Sequence, residues 1–386
     1  MCSSDLPGTS GDPSEAESES VMALLTLGAR AQGRDNNFHL VRMLAALLVL
    51  VSHSWPLTGT PSDPFERVVG FSLGHLGVDV FFVVSGFLVT GSLFARPRLA
   101  SFVDARARRL LPALAVAAFG VAFVLGPLVT TWPLTRYLTA WDTWRYALQN
   151  AVTWPLGVCW TLPGVFAGNP GGPAVNGALW SLPWEITMYA MLVAIGLATR
   201  ALRLPRAMQD ALLTTLAGLA TIGLAVNAHF GWSHRFEIVQ GLRFTALFFT
   251  AGALKVHEQR VPLRGLWALA AFVLLVLSFL HRGIPEALQP SLLAYVVLWC
   301  ALVPGGLLRA YRRVGDYSYG LYLWQFPVQQ CLVHAWPGLT PLTLMLAALP
   351  ITLGLAALSW HLIEARALAP RTTDIAPATA TGGVTN

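Results

Sequence analysis

Apolar stretches of about 17–25 residues, each long enough to cross a bilayer as a helix, recur along almost the whole chain. They fall at roughly 38–57, 70–94, 110–130, 179–199, 209–228, 238–254, 265–281, 287–304, 317–335 and 341–362. An unpaired backbone amide in hydrocarbon costs several kcal/mol, so only helices or a closed barrel can span. The alternating pattern of barrel strands is missing here. The pattern predicts an all-α polytopic bundle of about ten transmembrane helices in a lipid bilayer. Composition agrees: hydrophobic residues are 55% of the chain and charged ones 11%, against roughly 25% charged in a soluble domain. That balance excludes whole-chain disorder, a disulfide scaffold and a soluble nucleic-acid binder, in spite of the net charge of +6. Cys2, Cys159, Cys300 and Cys331 are far apart and show no CxxC spacing, so buried inert thiols are expected, and no metal site.

The positive-inside rule tests the topology separately. With the N-terminus inside, 19 of the 25 basic residues fall in one set of segments and 6 in the other. This bias predicts both termini in the cytoplasm and a multi-pass protein of a bacterial inner membrane. Residues 1–35 are expected to be a disordered acidic tail; its opening stretch has neither the basic start nor the apolar run of a signal peptide. Residues 36–368 form the membrane domain, and 369–386 a second disordered tail. The long outward segment 131–178 carries Trp132, Trp141, Trp144, Trp154 and Trp160 and then a Gly/Pro-rich run. It is expected to be an interfacial lid or re-entrant element.

Ionisable groups inside spans are costly and persist when they have a partner or a task. Among them here are Arg42, His53, Asp79, Glu185 and Arg243. Arg42 and His53 are eleven residues apart in the first span, which on a helix is about 16.5 Å along the axis and nearly the same face. A cation at one end of a passage and an imidazole at the other suit a phosphate-bearing donor. A snorkelling arginine and a histidine bonded to backbone are the structural alternative. Glu185, about one turn into the fourth span, is expected near the depth of His53, where a carboxylate could fix the imidazole as a general base. The alternative is a carboxylate that caps a helix N-terminus. Asp79 must be paired or protonated, while Ser85 and Gly86 suit close helix packing. Arg106, Arg108 and Arg109, expected in a cytoplasmic loop, can grip phosphate or belong simply to the positive-inside bias.

Several segments together resemble the integral-membrane acyltransferase 3 family over about residues 36–370. Arg42 and His53 match its Arg-x10-His pair, and Phe81, Phe82, Ser85 and Gly86 its Phe-Phe-x-x-Ser-Gly segment. Arg106 and Arg109 match its Arg-x-x-Arg pair, and Leu179 through Glu185 to Tyr189 its Leu-Trp-Ser/Thr-Leu-x-x-Glu-x-x-x-Tyr block. Tyr317-Ser318-Tyr319 through Tyr322 is similar to its Ser-Tyr-x-x-Tyr signature, and Glu364 with Arg366 loosely to its terminal cap. One position departs: many members have His where this chain has Gln325, so no catalytic role is expected for that helix. The esterase-like domain fused to some members is not expected here.

The resemblance implies transfer of an acyl group, most often acetyl, from cytoplasmic acyl-coenzyme A to a hydroxyl of a lipid-linked or extracytoplasmic glycan, with glycan-assembly proteins as further partners. Arg42, Arg106, Arg108 and Arg109 would hold the donor's phosphates. His53, steered by Glu185, would be the base, or in a variant would carry the acyl group itself. Tyr189 would donate to the oxyanion. A proton-coupled transporter or flippase and an inactive adaptor are the competing expectations.

Overall fold

The computed structural model describes residues 26–33, 35–96, 98–280 and 286–369. Among the described residues the protein is helical, apart from an isolated bridge between Thr26 and Pro262. Each apolar stretch forms a helix: α1 (Phe38–Leu57), α2 (Leu73–Ala95), α3 (Leu99–Gly120), α4 (Leu182–Ala201), α5 (Arg206–Phe230), α6 (Phe236–Val256), α7 (Gly265–Leu280), α8 (Gln289–Leu302), α9 (Ser318–Ala335) and α10 (Pro341–Ser359). Of these, six are long and apolar enough to cross a membrane, counting α3 and α10 with their continuations. There are seven if α8 and Leu307–Arg313, bent by 84°, make one broken span. α7 is short, and the polar side chains on α6 and α9 lower their hydropathy, which is why fewer than ten helices meet that criterion.

Two helices organise the bundle. α2, capped by the Ser72 hydroxyl on the His75 amide, packs between α1 and α6. Gly77 and Gly86 make this possible: a Cβ at Gly77 would strike the Ala45 carbonyl of α1, and one at Gly86 the Phe248 carbonyl of α6. Nine residues of helix turn the chain through about half a revolution beyond whole turns, so α2 presses its two neighbours with opposite faces. α9 packs between α10 and α1 and is enclosed along most of its length. Its glutamines are tied off, since a buried amide without partners is costly. Gln329 Nε2 donates to Leu50 O at 2.9 Å and Ser54 Oγ at 2.8 Å. Gln330 Nε2 donates to Gly172 O at 3.0 Å and Ala174 O at 2.7 Å.

Those last bonds anchor the segment 131–178, which folds as a cap. Short helices Leu134–Thr139 and Trp141–Asn150 and the coil after them close around Tyr137, Tyr146, Leu162, Val165 and Phe166, against Val121 and Ala122 at the end of α3. Burial pushes the Tyr137 hydroxyl up to about 12 and raises the Cys159 thiol, consistent with an inert residue. Part of the stretch expected to be a disordered tail is packed. Leu27 is buried, and its amide bonds Val261 O at 2.8 Å. The tail expectations for residues 1–25 and 370–386 lie outside the described residues.

Candidate functional site

Two cavities lie one beyond the other along α1 and α2. The first, an arginine chamber, is lined by Arg42 of α1, Ser85 of α2, Arg106 and Arg109 of α3, Glu185 and Tyr189 of α4, and Tyr319 and Tyr322 of α9. The arginines were expected in a loop. Instead α3 begins at Leu99, and the three-residue spacing sets Arg106 and Arg109 on the helix face that looks into the bundle. Arg108 points elsewhere: its Nε pairs with Asp104 at 2.8 Å, one turn back, and it does not line the chamber.

The chamber's cations differ in their partners. Arg42 and Arg109 both bind the Asp316 carboxylate, Arg109 Nη2 at 2.6 Å, and Arg109 Nη1 also reaches Glu364 Oε2 at 3.4 Å. Asp316 accepts Ser318 Oγ at 2.5 Å as well. Burial alone would raise the Asp316 carboxyl, but Arg42 and Arg109 outweigh it and hold the group well below the usual carboxylate range. Asp316 thus ties α1, α3 and the start of α9 together. Arg106 has no hydrogen bond or ion pair among the described residues, and its Nε is buried without a partner. Glu185 takes Ser85 Oγ at 3.0 Å and the Tyr189 hydroxyl, both on Oε1. Its other oxygen makes no bond among the described residues, so an unpaired carboxylate oxygen and an unpaired guanidinium face one cavity.

The second, a histidine chamber, is lined by Ser52, His53, Pro56 and Pro61, by Glu66, Ser72, His75 and Val78, and by Trp180. His53 Nδ1 meets the Gln325 side-chain amide, 3.2 Å from Oε1 and 3.0 Å from Nε2, and its ring stands edge-on to Phe326 at 5.0 Å. An Nδ1–H donated to Oε1 leaves Nε2 free to accept a proton. Between the chambers Phe81 and Tyr322 pack edge to face at 5.7 Å, and Tyr322 OH donates to Ala178 O at 2.5 Å.

The expected contact between His53 and Glu185 does not form, and the reason lies at the start of α4. The chain enters the bundle before that helix begins. Asn176 Nδ2 donates to Leu323 O at 2.9 Å, and Gly177 lies against the Phe326 ring. Glu185 therefore reaches Ser85, about 10 Å further along α2 than Val78, which borders the histidine chamber. The Tyr189 hydroxyl donates its hydrogen bond to Glu185 Oε1, so it orients that carboxylate. Gln325, expected to be inert, orients His53. Asp316 and His75 were not singled out by sequence reasoning. Asp316 could have been found as the acid directly before the Tyr317-Ser318-Tyr319 signature, whereas His75 carried no spacing signal. Asp79 and Arg243 pair with each other, Arg243 Nε at 3.0 Å from both carboxylate oxygens, which explains both charges as a structural link from α2 to α6.

A family model described as an acyltransferase domain matches residues 35–361. The chain is 28% identical over 344 residues to a protein named O-acetyl transferase from Shigella phage Sf6, a match covering 87% of this chain and 96% of that one. It is 31% identical over 371 residues to nodulation protein 10 of Rhizobium leguminosarum bv. viciae, covering 90% and 96%. No solved structure matches the chain.

Proposed function

The chain belongs to the acyltransferase 3 family and is an acyltransferase, and from that premise we propose that it moves an acyl group, acetyl above all, from acyl-coenzyme A to a hydroxyl of a glycan. The observation that carries this is the stacking of a chamber with an unpaired guanidinium, Arg106, directly beneath one with a free imidazole edge, His53. The donor's phosphates sit at Arg106. Arg42 and Arg109, which share the Asp316 carboxylate, with Glu364 also beside Arg109, shape the entrance and add less. The thin pantetheine arm runs along α1 past the Phe81–Tyr322 pair and brings its thioester to His53. His53 Nε2 takes the proton of the acceptor hydroxyl, the hydroxyl oxygen attacks the thioester carbonyl, and coenzyme A leaves as the thiol.

On this reading the bundle crosses a bacterial inner membrane ten times with both termini in the cytoplasm, donor below and glycan above, and glycan-assembly proteins are its partners. The flippase expectation gives way, because this chain matches an acyltransferase domain and one relative is named O-acetyl transferase. The test is purified protein with acetyl-coenzyme A, a glycan acceptor and a thiol reagent. Wild type releases thiol, His53→Ala does not while its melting temperature holds, and Arg106→Gln raises the KM for acetyl-coenzyme A about tenfold. Thiol release untouched by His53→Ala overturns the proposal.

A further inference from the structure

The histidine chamber holds more polar chemistry than proton removal needs. Beside His53 it presents Glu66, on the short helix Pro64–Val69, and His75, in the first turn of α2. Neither is accounted for by the mechanism above. The Glu66 carboxylate makes no hydrogen bond or ion pair among the described residues; its backbone is engaged, the amide with Asp63 Oδ1 at 2.8 Å and the carbonyl with the Gly70 amide at 2.8 Å. Ser72 Oγ accepts the His75 amide at 3.1 Å and stands 2.7 Å from His75 Nδ1. With the hydroxyl donating to Nδ1, the imidazole carries its own hydrogen on Nε2. With His53 Nδ1–H on Gln325 Oε1 and Ser72 Oγ–H on His75 Nδ1, the chamber's two imidazoles are opposite in kind: His53 Nε2 accepts and His75 Nε2 donates. Trp180, 5.6 Å from the His75 ring, gives the wall an aromatic face.

We propose that this chamber is a sugar-ring site in which Trp180 packs the ring and Glu66 and His75 hold the hydroxyls next to the one that His53 deprotonates, so that the acceptor class is a pyranose with neighbouring hydroxyls. A carboxylate that accepts, an imidazole that donates and an apolar plane suit a ring with hydroxyl edges and C–H faces. They do not suit a simple alcohol, which would leave Glu66 and His75 unmatched in a half-buried cavity. The site orients the acceptor, so that the reacting oxygen is held at the base. The proposal deepens the acyl-transfer reading but does not need turnover to be tested.

The experiment is saturation-transfer NMR on the full chain in lipid nanodiscs with no donor present, using methyl α-mannopyranoside as probe and cyclohexanol as the ring with a single hydroxyl. Wild type is expected to give a clear signal from the glycoside and at least fivefold less from cyclohexanol. Glu66→Gln and His75→Gln are each expected to cut the glycoside signal at least fivefold. Arg67→Gln, on the exposed side of the same short helix, is expected to retain it. Glu66→Gln keeps side-chain shape and breaks no bond, so it reports even if His75→Gln disturbs the α2 cap. No glycoside signal in wild type, equal signals from the two probes, or a signal indifferent to Glu66→Gln overturns the proposal. A signal with the expected dependence, in a protein that releases no thiol from acetyl-coenzyme A, upholds the sugar site and defeats the acyl-transfer reading instead.

Discussion

Among the described residues the His53 ring has one hydrogen-bonding partner, the Gln325 amide, and this dependence can be measured. Removing the imidazole with His53→Ala is expected to lower thiol release by about 10²–10⁴-fold, the usual worth of a general base. Gln325→Leu, which keeps the volume but frees the ring to turn, is expected to cost less than that, on the order of 10–100-fold, chiefly in kcat. Equal turnover in wild type and Gln325→Leu would show that the amide is mere packing. Asp316 makes a stability prediction. It is buried and paired with two guanidiniums, and taking one partner from such a group costs roughly 3–5 kcal/mol. Its folded-state pKa is depressed. The stabilisation is therefore full above the unfolded value, near 4, and fades only as pH falls below it. Asp316→Asn should melt well below wild type at pH 7, and the gap should narrow in acid. The sequence identified His53 and Glu185 because an ionisable group in an apolar run stands out. It could not pair them, because pairing depends on depth, and depth was counted from the surface.

The start of α4 shows why that count failed. A run of apolar residues gives the length of a helix but not where the chain enters the protein, and Asn176 and Gly177 place that entry inside the bundle. The helix's own N-terminal amides then lie near the arginine chamber, where a carboxylate such as Glu185 is favoured. The same blindness put Arg106 and Arg109 in a loop: arginine reads as polar, though on α3 it occupies the inward face. Helix positions, by contrast, were legible throughout, since backbone pairing in an apolar medium leaves no other choice. Gly177 tests the entry point. A Cβ there would sit 2.6 Å from the Phe326 ring, and that ring abuts His53. Gly177→Ala is expected to destabilise by about 1–3 kcal/mol and to lower turnover besides. Gly86→Ala meets backbone carbonyl, which cannot swing aside, and is expected to melt lower still without lying next to His53. A melting series on the two variants, run beside thiol release, separates packing from site geometry.

At the scale of the molecule, the protein keeps a charged compartment and an imidazole compartment apart with a thin aromatic layer. Phe81 is central to that layer: its ring packs on Tyr322 and lies under the Arg42 guanidinium at 5.9 Å. On the proposed reading, a thioester brought past this layer meets a chamber open enough for an acceptor, and water is the acceptor the enzyme must refuse. If the layer closes around the donor arm, it limits how much water reaches the thioester before a hydroxyl is in place. Phe81→Ala opens the layer and should raise thiol release in the absence of any acceptor several-fold. Tyr322→Phe keeps the ring and gives up the bonds to Ala178 and Ser181, so it should leave that release near wild type while lowering the melting temperature. Truncating a buried phenylalanine costs about 3–5 kcal/mol, so both variants must be assayed well below the lower of their melting temperatures. If Phe81→Ala hydrolyses donor no faster than wild type there, the layer is packing alone, and water is kept from the thioester at the cap instead.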